Sequence, residues 1–123
     1  MIILKTREEI EKMRAASLIV AEIIEVLKEQ VKPGTVTLDL ERITGEETKR
    51  RGARSAFKGY RGYPYCLCTS INEEVVHGMP SKKRVLKEGD ILSIDFGAFY
   101  GGYYGDSAVT VPVGRVGPEA QRL

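Results

Sequence analysis

The chain has 123 residues, 42% of them hydrophobic and 29% charged, enough for one small domain with an apolar core of its own. Nineteen basic against seventeen acidic residues leave a formal charge of +2, too weak a field to single out nucleic acid as the main partner. The longest apolar runs, Met1–Leu4, Leu18–Ala21 and Tyr65–Cys68, reach four residues, far short of the ~18 that span a bilayer. The N-terminus lacks the apolar stretch of a secretory signal, so a cytoplasmic chain with no membrane partner is expected.

Thr6-Arg7-Glu8-Glu9 is a capping box that predicts a helix from about Arg7. Ile10, Met13, Val20, Leu27 and Val31 follow three-four spacing, and Ala16, Ile19, Ile23 and Val26 widen the stripe, so one side of this helix should be buried. Pro33-Gly34 ends it. Thr35 or Thr37 is expected to cap a second helix through Leu38, Leu40, Ile43 and Thr48 that stops near Gly52, with Gly45 as an intrinsic weakness.

Residues 52–62 mix glycines, basic residues and aromatics without a period and read as a loop or irregular strand. Tyr65–Ile71 is a predicted strand, and residues 72–80 form a polar turn carrying the only histidine, His77. The basic run at 81–84 reads as a solvated connection. Ile91–Tyr100 and Tyr103–Val113 flank Gly101-Gly102, the signature of a two-residue hairpin turn with positive φ. Pairing Tyr100 with Tyr103 sets Leu92, Ile94 and Phe96 on a core face with Val111, Val109 and Ser107. Ser93, Asp95 and Gly97 then share the other face with Thr110, Ala108 and Asp106. Residues 117–121 look like the start of a helix, as if the chain continued.

Cys66 and Cys68, the only cysteines, are expected to point to opposite faces as unbridged thiols, which suits a reducing compartment. Without further thiols or a histidine cluster they fall short of a structural zinc site. Asp95 and Asp106 would be diagonal neighbours about 7 Å apart at Cβ, with Gly97 leaving room beside them. Two like charges on a small-residue face call for a cation or a shared proton, and oxygen ligands suit Mg, Mn, Fe, Co or Zn. On these residues alone, two unrelated rim aspartates, an ordinary loop histidine at 77 and packing roles for Phe57, Tyr60 and Tyr63 remain open.

GYRGYPYCLCTSINEEVVHGMP followed by LKEGDILSIDFGAFYGGYYGDSAVTVPVG closely resembles the N-terminal half of type I methionine aminopeptidases, across essentially the whole chain. The resemblance implies an α+β fold, half of a pita bread, in which residues 1–123 are the N-terminal half of the catalytic domain with no second domain. It implies removal of the N-terminal methionine from nascent polypeptides by water activated at two divalent metal ions of the Co, Mn, Fe or Zn type. The position of Asp95 is a chelating metal ligand and that of Asp106 a bridging one. His77 matches a catalytic histidine that hydrogen-bonds substrate and holds no metal. Tyr60, Tyr63 and Cys68 match the methionine pocket, and Phe57 stands where some members carry cysteine.

The family's remaining ligands, a histidine and two glutamates, and its general base lie in the other half, so a truncated chain of this length is expected to be weakly active or inactive. A lone half is also expected to self-associate as a two-fold homodimer. The same resemblance leaves two alternatives: a proline-specific peptidase of the same fold, or a non-catalytic module that binds peptides or proteins. Lys49, Arg50, Arg51 and Arg54 would permit contact with ribosomal RNA, although a solvated helix end explains them as well.

Overall fold

The computed structural model describes residues 6–56, 58, 65–72 and 79–114. Helix α1 covers Arg7–Gln30. Its capping box forms as the sequence predicts: the Glu9 N–H donates to Thr6 Oγ1 at 3.1 Å and the Thr6 N–H donates to Glu9 Oε1 at 3.2 Å. Ala16, Ile19, Val20, Ile23, Ile24 and Leu27 form the buried face, and each large apolar side chain among them contributes roughly 1.5–3 kcal/mol by leaving water. The stripe begins later than its spacing suggests. Ile10 is 45% exposed, because the first two turns precede the stretch of helix that lies against the sheet, and Ala16 is the first fully buried position.

Helix α2 covers Thr37–Arg50 and buries Thr37, Leu40, Thr44 and Thr48. Neither threonine expected to cap it does so. Its N-cap is Val36, without a side-chain hydrogen bond. Backbone carbonyls replace the cap: the Thr37 N–H donates to Arg84 O at 2.9 Å and the Leu38 N–H to Ser81 O at 3.3 Å. Thr37 Oγ1 instead donates to Ser81 O and accepts from the Ser81 N–H, while Thr35 Oγ1 donates to Gln30 O in the turn between the helices. Inside the helix, Thr44 and Thr48 donate to the carbonyls of Leu40 and Thr44, so these buried hydroxyls are satisfied without a distant partner.

Among the described residues, four antiparallel strands follow: β1 (Arg54–Ser55), β2 (Leu67–Ile71), β3 (Ile91–Tyr100) and β4 (Tyr103–Pro112). Strand β3 is central. β4 pairs along its whole length, while β2 and then β1 share its other edge. The β3–β4 hairpin turns at Gly101 and Gly102, with φ of +60° and +86°, the left-handed pair that matches the twist of the strands it joins. Its register is the one the sequence implies, with Ile94 opposite Val109 and Gly97 opposite Asp106.

Leu92, Ile94, Phe96 and Ala98 are fully buried and share one core cluster with Val20, Ile23 and Leu27 of α1 and with Leu67, Ile71 and Leu86. The helix comes down hard on β4. A Cβ placed on Gly105 would lie 2.9 Å from the Ala16 carbonyl carbon and 2.9 Å from the Ser17 nitrogen, so only glycine allows this approach of backbone to backbone. Among the described residues no helix is long and apolar enough to cross a membrane.

Candidate metal centre

The sheet face turned away from α1 carries a different set of side chains. Alternation along β3 puts Ser93, Asp95, Gly97 and Phe99 there, and pairing adds Thr110, Ala108, Asp106 and Tyr104 from β4. From the other edge β2 adds Cys68 opposite Asp95 and Ser70 opposite Ser93. Cys68, Asp95 and Ala108 thus form one row across three strands. The next is hydroxylic, with Ser93 Oγ and Thr110 Oγ1 sharing a hydrogen bond at 3.3 Å.

Asp95 and Asp106 come together on this face as the hairpin register requires. Burial pushes the Asp95 carboxyl above its ordinary value of 3.8, and the negative charge of Asp106 adds to the rise. A cation between them would reverse that pressure by favouring both charged forms. Carboxylate oxygens are hard ligands suited to divalent ions, and Gly97 and Ala108 add little bulk beside them. The donor set therefore fits a divalent metal, but only in part. Among the described residues no three His, Cys, Asp or Glu side chains gather as a metal group, so the pair supplies part of a coordination shell.

His77, Phe57, Tyr60 and Tyr63 lie outside the described residues, as do residues 117–121. The described residues flanking them are firmly held. The Ala56 N–H donates to Gly97 O at 2.9 Å and Leu67 pairs with Phe96. On one side of His77, Asn72 adopts φ +55°; its amide donates to Asp90 Oδ1 and its Oδ1 accepts from the Ile91 N–H. On the other side Ser81 is tied to Thr37.

The cysteines are free thiols, as expected, but the reason differs. Two residues of one strand separated by one share a face; Cys66 and Cys68 part company because Cys66 precedes β2. Cys66 is buried in the core cluster, where burial first and then the Glu41 carboxylate push its thiol upward. Cys68 stands half-buried opposite Asp95. Of the four basic residues that could touch RNA, Arg50 and Arg51 are both paired with Glu47, at 2.8 and 2.7 Å.

Sequence reasoning missed Tyr104. Its hydroxyl lies over Gly97, where an added Cβ would approach it to 2.9 Å, and its ring leans on Phe99 with centroids 5.3 Å apart. The hairpin register already carried the signal, since it places Tyr104 on the aspartate face two residues before Asp106. A cavity of about 760 Å³ lined by Thr37, Tyr65, Thr69, Pro80 and Arg84 contains neither aspartate. The open sheet face, with its converging carboxylates, is the stronger candidate for chemistry.

Residues 11–123 match the metallopeptidase family M24. The chain is 56% identical over 126 residues to a methionine aminopeptidase of Aquifex aeolicus, covering 98% of this chain and 49% of that protein. It is 50% identical over 123 residues to methionine aminopeptidase 1 of Bacillus subtilis, covering all of this chain and 49% of the relative. The crystal structure of methionine aminopeptidase from Thermotoga maritima superposes with a TM-score of 0.93 at 47% identity, over 100% of this chain and 49% of that one. Aminopeptidase P of Escherichia coli superposes at 0.76 with 29% identity, over 96% of this chain and 26% of that one. The chain spans about half the length of the curated relatives it matches. With its helices on one side of an antiparallel sheet and paired aspartates on the other, it has half of the pita-bread fold and belongs to metallopeptidase family M24.

Proposed function

We propose that this chain carries part of the active site of a metal-dependent aminopeptidase that removes the N-terminal methionine from nascent polypeptides in the cytoplasm. The observation that carries the reading is the convergence of Asp95 and Asp106 on one open face of the β3–β4 hairpin, in a chain 56% identical to a methionine aminopeptidase. Asp95 and Asp106 would hold divalent metal, of the Co, Mn, Fe or Zn type and two ions per complete site. When bound, such ions polarise the scissile carbonyl and lower the pKa of water.

The other assignments follow the motifs. Cys68 is proposed to line the pocket for the methionine side chain with Tyr60, Tyr63 and Phe57, and its place opposite Asp95 supports that reading. Thiol and aromatic groups suit a thioether. His77 is proposed to donate a hydrogen bond where negative charge develops on the substrate, which is worth about 10²–10³ in kcat.

Release of free methionine from a Met-Ala-Ser peptide, with and without added Mn²⁺ or Co²⁺, tests the reading, with Xaa-Pro peptides as the competing substrate class. Because two carboxylates leave the shell incomplete, this chain alone is expected to be weakly active or inactive, and any residual activity is expected to need metal and prefer methionine. Preferential cleavage of Xaa-Pro bonds, or methionine release that withstands chelator and Asp106→Asn, would overturn it.

A further inference from the structure

Strand β4 is an open edge of the sheet. β3 is paired on both sides, whereas β4 pairs with β3 alone among the described residues. In an antiparallel ladder alternate residues turn their N–H and C=O towards one neighbour and the rest towards the other. Gly97 and Ile91 bond away from β4, their carbonyls accepting from the Ala56 and Asn72 N–H groups at 2.9 and 2.7 Å. The intervening residues of β3 therefore bond to β4, and the register makes their partners Tyr103, Gly105, Ser107, Val109 and Val111. The N–H and C=O groups of Tyr104, Asp106, Ala108 and Thr110 point outwards, and none has a hydrogen-bond partner among the described residues.

Such a row of outward donors and acceptors is a template for another strand, and natural edges are blunted by lysines, bulges or shortness. β4 has none of these. It runs for ten residues in unbroken register with β3, Asp106 is its single charged residue, and Val109, Thr110 and Val111 favour the extended chain. Its proline, Pro112, stands at the very end. The occupant that suits this edge is a second copy of the chain. A strand paired antiparallel with itself is closed by a two-fold axis, which satisfies the same groups on both copies. The chain covers 49% of the Thermotoga maritima structure it superposes on, so a second copy brings about as much chain as such a relative has beyond it.

We propose that two copies pair antiparallel along β4 and hold divalent metal between their acidic pairs, which rests on the metal-site reading above. The axis stands normal to the sheet, so both aspartate faces lie on the same side. The register that uses all four outward residues sets Tyr104 opposite the partner's Thr110 and Asp106 opposite the partner's Ala108. Asp106 and the partner's Asp106 are then diagonal neighbours, as Asp95 and Asp106 are within one chain. Four carboxylates meet where one chain offers two. Without a cation they repel; an ion reached from both chains offsets the repulsion and ties pairing to metal.

The test is sedimentation velocity of the 123-residue chain at micromolar concentration, in chelator and then with Mn²⁺, beside amide exchange at low and high protein concentration. The expected result is a dimer that Mn²⁺ tightens about tenfold. The amides of Tyr104, Asp106, Ala108 and Thr110 should exchange more slowly at high concentration, while those of Gly105 and Ser107 are protected at both. Thr110→Pro removes one outward N–H, keeps the backbone ladder with β3 and should be monomeric. Thr110→Val, which loses only the hydroxyl shared with Ser93, should dimerise like wild type. Asp106→Asn should dimerise in chelator at least as tightly as wild type and gain nothing from Mn²⁺. A wild-type monomer under both conditions, or a dimer whose four outward amides exchange alike at both concentrations, would overturn the pairing whether or not Thr110→Pro folds. Mn²⁺ bound to such a monomer would leave the metal-site reading standing. A wild-type dimer indifferent to Mn²⁺ would overturn the shared site, and Mn²⁺ bound by neither form would overturn the metal-site reading with it.

Discussion

Asp95 and Asp106 stand diagonally across the β3–β4 ladder with Gly97 and Ala108 as their partners, so without a cation their proximity is a standing cost to the fold. The Asp95 carboxyl is raised from 3.8 by burial and by Asp106. The folded chain therefore binds its proton more tightly than the unfolded chain does. Stability falls as pH rises through the window that begins near 3.8, and the cost is fully present at neutral pH.

Asp95→Asn should accordingly raise the unfolding temperature of the chelated chain at pH 7 while reducing its metal content. Calorimetry in chelator and elemental analysis after metal loading measure the two effects. A variant less stable than wild type in chelator would show that the carboxylates are not in conflict.

Glu41 supplies a second prediction. Its carboxylate accepts from the Cys66 N–H at 2.9 and 3.0 Å and from the Leu67 N–H at 3.1 Å, fixing the entry of β2 from a residue on α2. Glu41→Ala takes the carboxylate away from these two backbone donors in a partly buried place. A hydrogen bond to a charged group is worth about 1.5–3 kcal/mol, and a loss in that range is expected from urea unfolding. Amide exchange at Cys66 and Leu67 should quicken with it, whereas exchange within α1 should follow only the global loss.

Acid titration gives the third. The Arg51 guanidinium holds the Glu47 carboxyl below its ordinary 4.5, partly offset by burial and helped by Arg50. A carboxyl lowered in the folded state contributes stability that is present above 4.5 and disappears as pH falls through the lowered folded value. Glu47→Gln should therefore lower the unfolding temperature at pH 6 and make little difference at pH 2. An equal penalty at both pH values would assign the effect to packing instead of charge.

The hairpin and α1 were legible in the sequence because their determinants are local. Gly101-Gly102 fixes a turn type, the turn fixes a register, and the register carries Asp95, Gly97 and Asp106 to one face. Thr6 and Glu9 likewise fix a helix start. What local pattern could not show depends on residues far apart in the chain. Thr37 looks like a cap, yet Ser81 takes its hydroxyl and the backbone at Ser81 and Arg84 takes its role. Glu41 lies 25 residues from the amide it holds. Strand β1 has two residues, too few for a period to appear. Tyr104 was overlooked because its importance comes from its lean over Gly97, and strand alternation fixes a face without fixing a tilt.

The contact between Ala16 and Gly105 makes the helix an anvil for the aspartate on the far side of the sheet. Gly105 and Asp106 are consecutive, so any displacement that α1 imposes on the first is transmitted through a single peptide bond to the second. Adding one methyl at Gly105, or enlarging the fully buried Ala16, would bend β4 outward at the point where Asp106 must meet its ion. The geometry of the acidic pair is thus sensitive to substitutions in a helix that never touches it. Variation at Ala16 could detune metal affinity while every side chain on the open face keeps its identity.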